Sequence, residues 1–328
     1  MKIYTAITRA DNYIKLSNDE ETVTIPAAAY VAVDDNSGYI SVKNTATRKT
    51  FGLIKKNVTP PTPPTPTHDY SQDYFTIISR EDNNAIVFGE DGSTMESYYL
   101  TISASTDNGE TWTSYTSTSG AGTTIATLNT GEKVLVKGEN NSYFSYEYSR
   151  GNYFDGSKTF DVEGNVMSLI NGDNFTGATE LTSYRSFHAL LSWSKVVSAE
   201  NLVIPVVNQH TCSYMFGRCT SLTTAPKTLS ATTLSTGSYM NMFQDCTSLT
   251  TAPELPATTL AMGCYYQMFK GCSNLNYIKM LATDASATNS LYHWVDGVAA
   301  TGTFVKSSAA TLAEGVSGIP AGWTVQEV

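Results

Sequence analysis

The chain holds 328 residues, only 15% of them charged, with 30 acidic against 20 basic side chains and a net charge of −10. That balance repels phosphate, which sets nucleic acid aside as a partner. No run of 18 apolar residues occurs, so membrane insertion is not expected. Abundant Thr, Ser, Tyr and Gly suit a β-rich surface protein better than a helical enzyme.

Residues 1–58 alternate as β-structure does: Thr22-Val23-Thr24-Ile25, Tyr30-Val31-Ala32-Val33, a turn over Asp34 to Gly38, then Tyr39-Ile40-Ser41-Val42. A head of this size buries little core alone and is expected to oligomerise or lean on a partner. The start, Met1 to Ala6, has no apolar run or small-residue cleavage site, so no secretion signal is expected. Residues 59–68 follow as a Pro/Thr tract, Thr59-Pro60-Pro61-Thr62-Pro63-Pro64-Thr65-Pro66-Thr67. Such a tract adopts extended polyproline II and acts as a semi-rigid spacer.

Charge divides at the same place. Residues 1–58 hold eight basic and six acidic side chains, a net of +2, so the remainder carries −12. Lys43, Arg48, Lys49, Lys55 and Lys56 fall in a stretch, 36–68, that has no acidic residue. They are the candidate attachment residues, suited to docking on an acidic protein surface, with a solvated basic rim as the plain alternative.

Residues 69–165 read as an antiparallel β-sandwich. Strand-like runs at Tyr74–Ile78, Tyr98–Ile102, Lys133–Lys137 and Tyr143–Tyr148 are separated by Gly, Asp and Asn turns. Within it, Ser105-Thr106-Asp107-Asn108-Gly109-Glu110-Thr111-Trp112 resembles the Asp-box of sialidases and other secreted β-proteins. That resemblance implies a stabilised hairpin away from any chemistry.

Residues 166–283 contain three copies of one segment: Cys212-x-x-Met215-Phe216-x-x-Cys219-x-x-Leu222, Tyr239-x-x-Met242-Phe243-x-x-Cys246-x-x-Leu249 and Tyr265-x-x-Met268-Phe269-x-x-Cys272-x-x-Leu275. The period of 26 to 27 residues lies in the leucine-rich-repeat range, and units of that length bury their apolar face only by stacking. Apolar positions at i, i+3, i+4 and i+7 predict a helical turn or two at the start of each copy. The threonine-rich pieces that follow, such as Ser221 to Pro226 and Leu255 to Leu260, predict short extended segments. A degenerate copy runs from Ser183 to Pro205, and residues 284–328 form a C-terminal cap. Stacking places Phe216, Phe243 and Phe269 in one ladder and Cys219, Cys246 and Cys272 in another, as free thiols serving as small apolar residues. Ser213, Met240 and Tyr266 are expected to point outward, with Tyr266 the candidate ligand contact.

These repeats resemble the BspA-like leucine-rich repeats of bacterial surface proteins and of bacteriophages that infect gut Bacteroidales. Gly164 to Phe175, Tyr277 to Asp284 and Gly318 to Val325 are similar to the corresponding parts of those phage proteins. The resemblance spans roughly residues 70–328 and implies a displayed, protein- or glycan-facing module with no catalytic residues to transfer. With no secretion signal expected, it implies a homo-oligomeric virion fibre, a trimer by analogy with fibres. Such a fibre is made in the host cytoplasm and carried on the virion surface, as a head fibre or capsid decoration. The head would bind capsid or other virion proteins, and the knob a host-surface glycan or protein. The alternatives are a tail-associated receptor-binding protein, a bacterial cell-surface adhesin and a glycan-degrading virion enzyme.

Other chemical signals are faint. His68, His188, His210 and His293 have no metal-ligand spacing, and no phosphate loop or Gly-x-Ser-x-Gly elbow occurs. Glu90, Asp91, Asp155, Asp161 and Asp173 could pair for glycoside cleavage, but they lie in turn-like contexts. No catalytic residue, metal site or cofactor is therefore assigned. The expected fold is mainly β and modular: a small β head, a Pro-rich spacer, an antiparallel β-sandwich, and a leucine-rich-repeat solenoid of short strands and helical turns.

Overall fold

The computed structural model describes residues 68–90, 99–138 and 151–328, with the backbone of the strands lying between residues 3 and 55. The chain is mainly β with mixed sheets, and it forms two compact units, Met1–His68 and Asp69–Val328. In the first unit the strands are β1 (Ile3–Tyr4), β2 (Ala6–Ala10), β3 (Tyr13–Ser17), β4 (Thr22–Pro26), β5 (Tyr30–Asp34), β6 (Tyr39–Asn44) and β7 (Thr50–Lys55). They make one sheet in the order β1-β7-β6-β5 and a second in the order β2-β3-β4. β5 and β6 pair antiparallel, and the turn expected between them lies outside the described residues. The Pro/Thr tract lies outside the described residues.

The second unit begins as two packed sheets. Its strands are β8 (Phe75–Ser79), β9 (Asn84–Glu90), β10 (Thr101–Ser105), β11 (Thr113–Thr116), β12 (Thr118–Ser119), β13 (Thr123–Leu128), β14 (Lys133–Gly138), β15 (Asn152–Gly156), β16 (Phe160–Asn165) and β17 (Val196–Val203). One sheet runs β11-β10-β14-β8-β16-β17 and the other β12-β9-β13, with β15 also on β9. β14 alternates between buried and more exposed residues, the period-2 pattern of a strand with one covered face, whereas β8 in the middle of its sheet is buried at four of its five residues. Phe75 of one sheet packs on Phe154 of the other with ring centroids 5.4 Å apart, and Phe154 stacks on Phe88 at 5.0 Å. The strand expected over Tyr143–Tyr148 lies outside the described residues.

Within residues 69–165 the described strands pair antiparallel, as expected, except β12, and the sheets become mixed where the repeat region joins. β16 pairs with β17 in parallel, as does β12 with β9. The cause is topological, because β17 belongs to the first coil of the repeat region and reaches β16 through a crossover rather than a hairpin. The sheet therefore continues into the stack, and one core extends from Phe75 to Trp323. Between them, helix α1 (Ser168–Asn171) seals the joint. Buried Ser168 accepts a hydrogen bond from the Phe75 amide (2.9 Å) and donates one to the Val136 carbonyl (3.0 Å). Gly164 permits the close approach of β16 to Tyr74: its φ is +81°, and a Cβ there would fall 2.0 Å from the Tyr74 carbonyl oxygen.

In the repeat region successive copies lie one over another, and their extended pieces are joined by parallel bridges such as Ser198 to Thr224 and Thr251 to Tyr277. The helical turns expected at the start of each copy are not helices. Amides alternate between two destinations: Cys212, Tyr214 and Phe216 donate to Ser238, Met240 and Met242 of the next coil. Ser213, Met215 and Gly217 close turns onto His210, Cys212 and Tyr214 of their own coil. A helix would keep all of these donors for itself. Every fourth residue takes a left-handed conformation, as at His210, Tyr214 and Arg218 (φ 56°, 56° and 63°) and at Gly237, Asn241 and Asp245 (φ 63°, 57° and 58°).

The inward side chains agree with the expectation although the backbone does not. Cys212, Met215, Phe216 and Cys219 are fully buried, as are their counterparts in the next two copies. Over eight residues a period of four selects the same inward set as a helical period of about 3.6, so apolar spacing alone does not separate the two. At the C-terminal end, strands β18 (Tyr277–Met280), β19 (Thr303–Lys306) and β20 (Thr324–Glu327) form a parallel sheet, one strand per coil. Trp294 is fully buried and donates from its indole to the Gly318 carbonyl (2.8 Å); Trp323 does the same to Ala299 (2.7 Å). These bonds fix the last coils against the terminal segment.

Candidate functional site

The inner columns of the stack are structural. Phe216, Phe243 and Phe269 stack with centroids 5.3 and 5.6 Å apart and planes within 10° of parallel. Cys219, Cys246 and Cys272 form a second column of free, buried thiols. Each thiol donates to a backbone carbonyl of the preceding coil, that of Leu191, Phe216 and Phe243, at 2.9, 3.0 and 2.9 Å. A cysteine therefore fills a methyl-sized gap and also supplies a weak donor where a carbonyl has a spare lone pair. Burial pushes the thiol of Cys264 up to about 12, and those of Cys212, Cys246 and Cys272 are raised by the same cause.

The outer columns carry the most exposed aromatic rings of the stack. Tyr184 is 64% exposed, Trp193 59%, Tyr292 41% and Tyr214 37%. Tyr266, the candidate contact, is half-buried and stacks on Tyr292 with centroids 4.9 Å apart. Met240 is also half-buried, but Ser213 departs from expectation and is buried. Its hydroxyl is short enough to turn along the stack and donates to the Gly237 carbonyl of the next coil at 3.0 Å.

Two residues in this surface escaped sequence reasoning. Trp193 has a left-handed φ of 66° and Arg218, one coil on, 63°, a conformation costly for bulky side chains. The next coils hold Asp245, Gly271 and Gly297 in this column, so large groups at its start are a signal that alignment of the copies would have shown. The Arg218 guanidinium lies 4.5 Å from the Trp193 ring centroid and 3.5 Å from the Asp245 carboxylate.

The acidic residues weighed for glycoside cleavage have structural partners. Asp155 accepts from the amides of Gly156 (2.7 Å) and Lys195 (3.2 Å), and Asp161 pairs with Arg80 at 2.7 Å. Asp173 holds Lys137 and the Tyr74 hydroxyl, both at 2.7 Å, which keeps its carboxyl below the usual range. Glu90 is buried, and Asp91 lies outside the described residues.

The Asp-box segment forms the β10–β11 hairpin turn. Ser105 donates to the Asp107 carboxylate at 2.6 Å, and the Thr111 amide donates to it at 2.9 Å. Those bonds, the Ser105 hydroxyl first, bring Asp107 down to about 2. From the far end of the turn Trp112 packs on Tyr74 at 5.0 Å, with the Lys137 ammonium 4.2 Å from its ring. The hairpin is thus tied to the joint between sheets and stack.

The histidines remain apart from one another in function. His188 is buried, His210 is held below its ordinary value by burial and then by Arg185, and His293 contacts Asp296 at 3.1 Å. Among the described residues no group of three His, Cys, Asp or Glu side chains is placed to hold a metal ion. No helix among them is long and apolar enough to cross a membrane. Of the candidate attachment residues, Lys43 and Lys55 fall on the paired strands β6 and β7, opposite Thr50 and Tyr39. Arg48, Lys49 and Lys56 lie outside the described residues. Compared with known proteins, the chain matches no family model, no curated protein and no solved structure.

Proposed function

We propose that this chain is a non-catalytic display protein, a bacteriophage virion fibre of the head-fibre or capsid-decorating kind, whose repeats form a BspA-like leucine-rich-repeat solenoid. The observation that carries the reading is the division of labour in the stack. Inner columns of Phe and Cys hold the coils in register, and the outer columns present exposed Tyr184, Trp193, Tyr214 and Tyr292 on a rigid support. Rigid aromatic surface with little rotamer entropy to lose is suited to adhesion.

The head supplies attachment in this scheme. It is a separate compact unit whose basic stretch complements an acidic particle surface. Self-association, as a trimer, gives the small head sheets the buried area they lack alone.

Labelling purified particles with an antibody to residues 69–328 tests the location. Surface labelling that falls when Lys43, Arg48 and Lys49 are reversed in charge, more steeply as salt rises, supports the reading. Particles that never carry the chain refute it. Light scattering supplies the second test: the full chain is expected as an oligomer and residues 69–328 as a monomer.

A further inference from the structure

Where the last coils meet the C-terminal segment, residues 283–287, 289–292 and 311–313 with Ser317 line an open groove of about 510 Å³. That volume falls within the range of small-molecule sites. Its wall carries one aromatic ring, Tyr292, 41% exposed and backed by Tyr266 at 4.9 Å. Tyr266 covers one face of the ring and His293 lies 4.4 Å from it, tilted by 48°, so the ring is held in place with its remaining surface exposed.

Around it the lining is built from short polar groups. Ser286, Asn289, Thr311 and Ser317 are exposed there, and Asp284 is the single lining residue that is charged at neutral pH. The Asp284 carboxylate accepts from the Ser286 amide at 3.0 Å and is also bonded by the Ser286 side chain, which orients the group at the exposed wall. No cationic side chain lines the groove.

We infer that this groove is a binding site for a neutral sugar residue of a surface glycan, with Tyr292 as the stacking platform and Asp284 and Asn289 as hydroxyl-binding groups. The assignment rests on the adhesive reading above and gives it a ligand class. A sugar presents an apolar C–H face and a rim of hydroxyls, and the groove offers a ring and a set of donors and acceptors to match. Phosphate, sulfate and sialic acid meet an unneutralised carboxylate instead. A peptide anchored by large apolar side chains finds no deep apolar pocket, because Leu291 is itself buried in the core.

The full chain is tested on arrays of neutral and sialylated oligosaccharides and, in parallel, on whole Bacteroidales cells. Wild type is expected to bind neutral oligosaccharides. Tyr292→Ala and Asp284→Asn should each lose roughly ten-fold or more in affinity, and Tyr292→Phe should stay within about two-fold. Melting temperatures should be unchanged, since Tyr292 and Asp284 are exposed. Binding to cells without binding to any neutral glycan overturns the groove assignment and leaves adhesion standing. Binding to neither overturns both. Glycan binding that survives Tyr292→Ala, or that is equally strong for sialylated chains, also overturns the assignment.

Discussion

Phe216 and Phe243 stack with ring centroids 5.3 Å apart and planes 4° from parallel, although 26 residues separate them in the chain. At that distance nearly parallel rings are offset, the arrangement that the ring quadrupoles favour. The pair shows how the repeat period becomes a contact, since each coil supplies one ring to a continuous column.

Removing the middle ring of that column is therefore costly. Phe243→Ala opens a gap between Phe216 and Phe269 that the backbone ladders prevent from closing, and should lower unfolding free energy by about 3–5 kcal/mol. Tyr239 provides the opposite case: its ring is fully buried and its hydroxyl has no hydrogen-bond partner among the described residues. Tyr239→Phe should leave stability unchanged or raise it by up to about 1 kcal/mol. Urea denaturation of the two variants beside wild type reads both effects, and a loss in Tyr239→Phe would reveal a partner for that hydroxyl.

The buried thiols make the stack sensitive to alkali. Cys212, Cys246, Cys264 and Cys272 are all raised above 9.0, the value they regain on unfolding. A raised acid is stabilising below its unfolded value, so their contribution is intact at pH 7–8. It is lost as pH climbs from about 9 toward 12, by about 1.4 kcal/mol per thiol per pH unit. Melting temperature should fall steeply above pH 9, and a thiol reagent at pH 8 should label these positions only after denaturant is added. Rapid labelling of the native chain would contradict the burial.

Acid acts on a different element. Asp107 is brought down to about 2 by hydrogen bonds from Ser105 and Thr111, against an ordinary value of 3.8. A lowered carboxyl stabilises above its unfolded value, so the β10–β11 hairpin should hold at pH 5 and loosen between about pH 4 and 2. Amide exchange at Gly109 and Thr111 reports this locally. In Asp107→Asn the loss of protection between about pH 4 and 2, taken relative to intrinsic exchange rates, should disappear, which a purely global acid transition would not produce.

Trp193 tests whether the outer face is built for the fold or for something else. Trp193→Gly relieves about 1–2 kcal/mol of left-handed strain while giving up about 0.5–1 kcal/mol of stacking under Arg218. The net change should lie between about zero and a gain of about 1.5 kcal/mol. Trp193→Val keeps the strain and loses the stack, so it should be the less stable variant. Thermal melts decide this, and a large loss in Trp193→Gly would assign the indole to the core.

What the sequence made legible was burial. Met215, Phe216, Cys219 and their counterparts face inward because apolar spacing reports a side chain's direction, whichever backbone produces it. The path of the backbone was harder to read, since a helix and a train of four-residue turns share that spacing over two turns. The distinguishing marks were there in Gly237, Asn241 and Asp245 and in Gly263 and Gly271, residues tolerant of positive φ and placed four or eight apart. Tyr266 was placed at the surface from its neighbour Tyr265, but its stacking on Tyr292 depends on the alignment of one coil with the next. The parallel β16–β17 pair was out of reach for a related reason, because pairing across a crossover leaves no local turn signal.

The alternation of amide donors has a further consequence for how this surface could change over generations. Since the ladder uses backbone groups and inward rings, the positions that reach the surface owe little to folding: His188 and Ser213 at the start of one such column are buried, but Met240, Tyr266 and Tyr292 in its later rows are at least partly exposed. Each such position is close to an independent variable, free to be rewritten without repacking what lies beneath it. A whole coil added or removed would shift the display by one row and leave the columns aligned. Diversification of what is recognised is thereby uncoupled from the stability of what presents it.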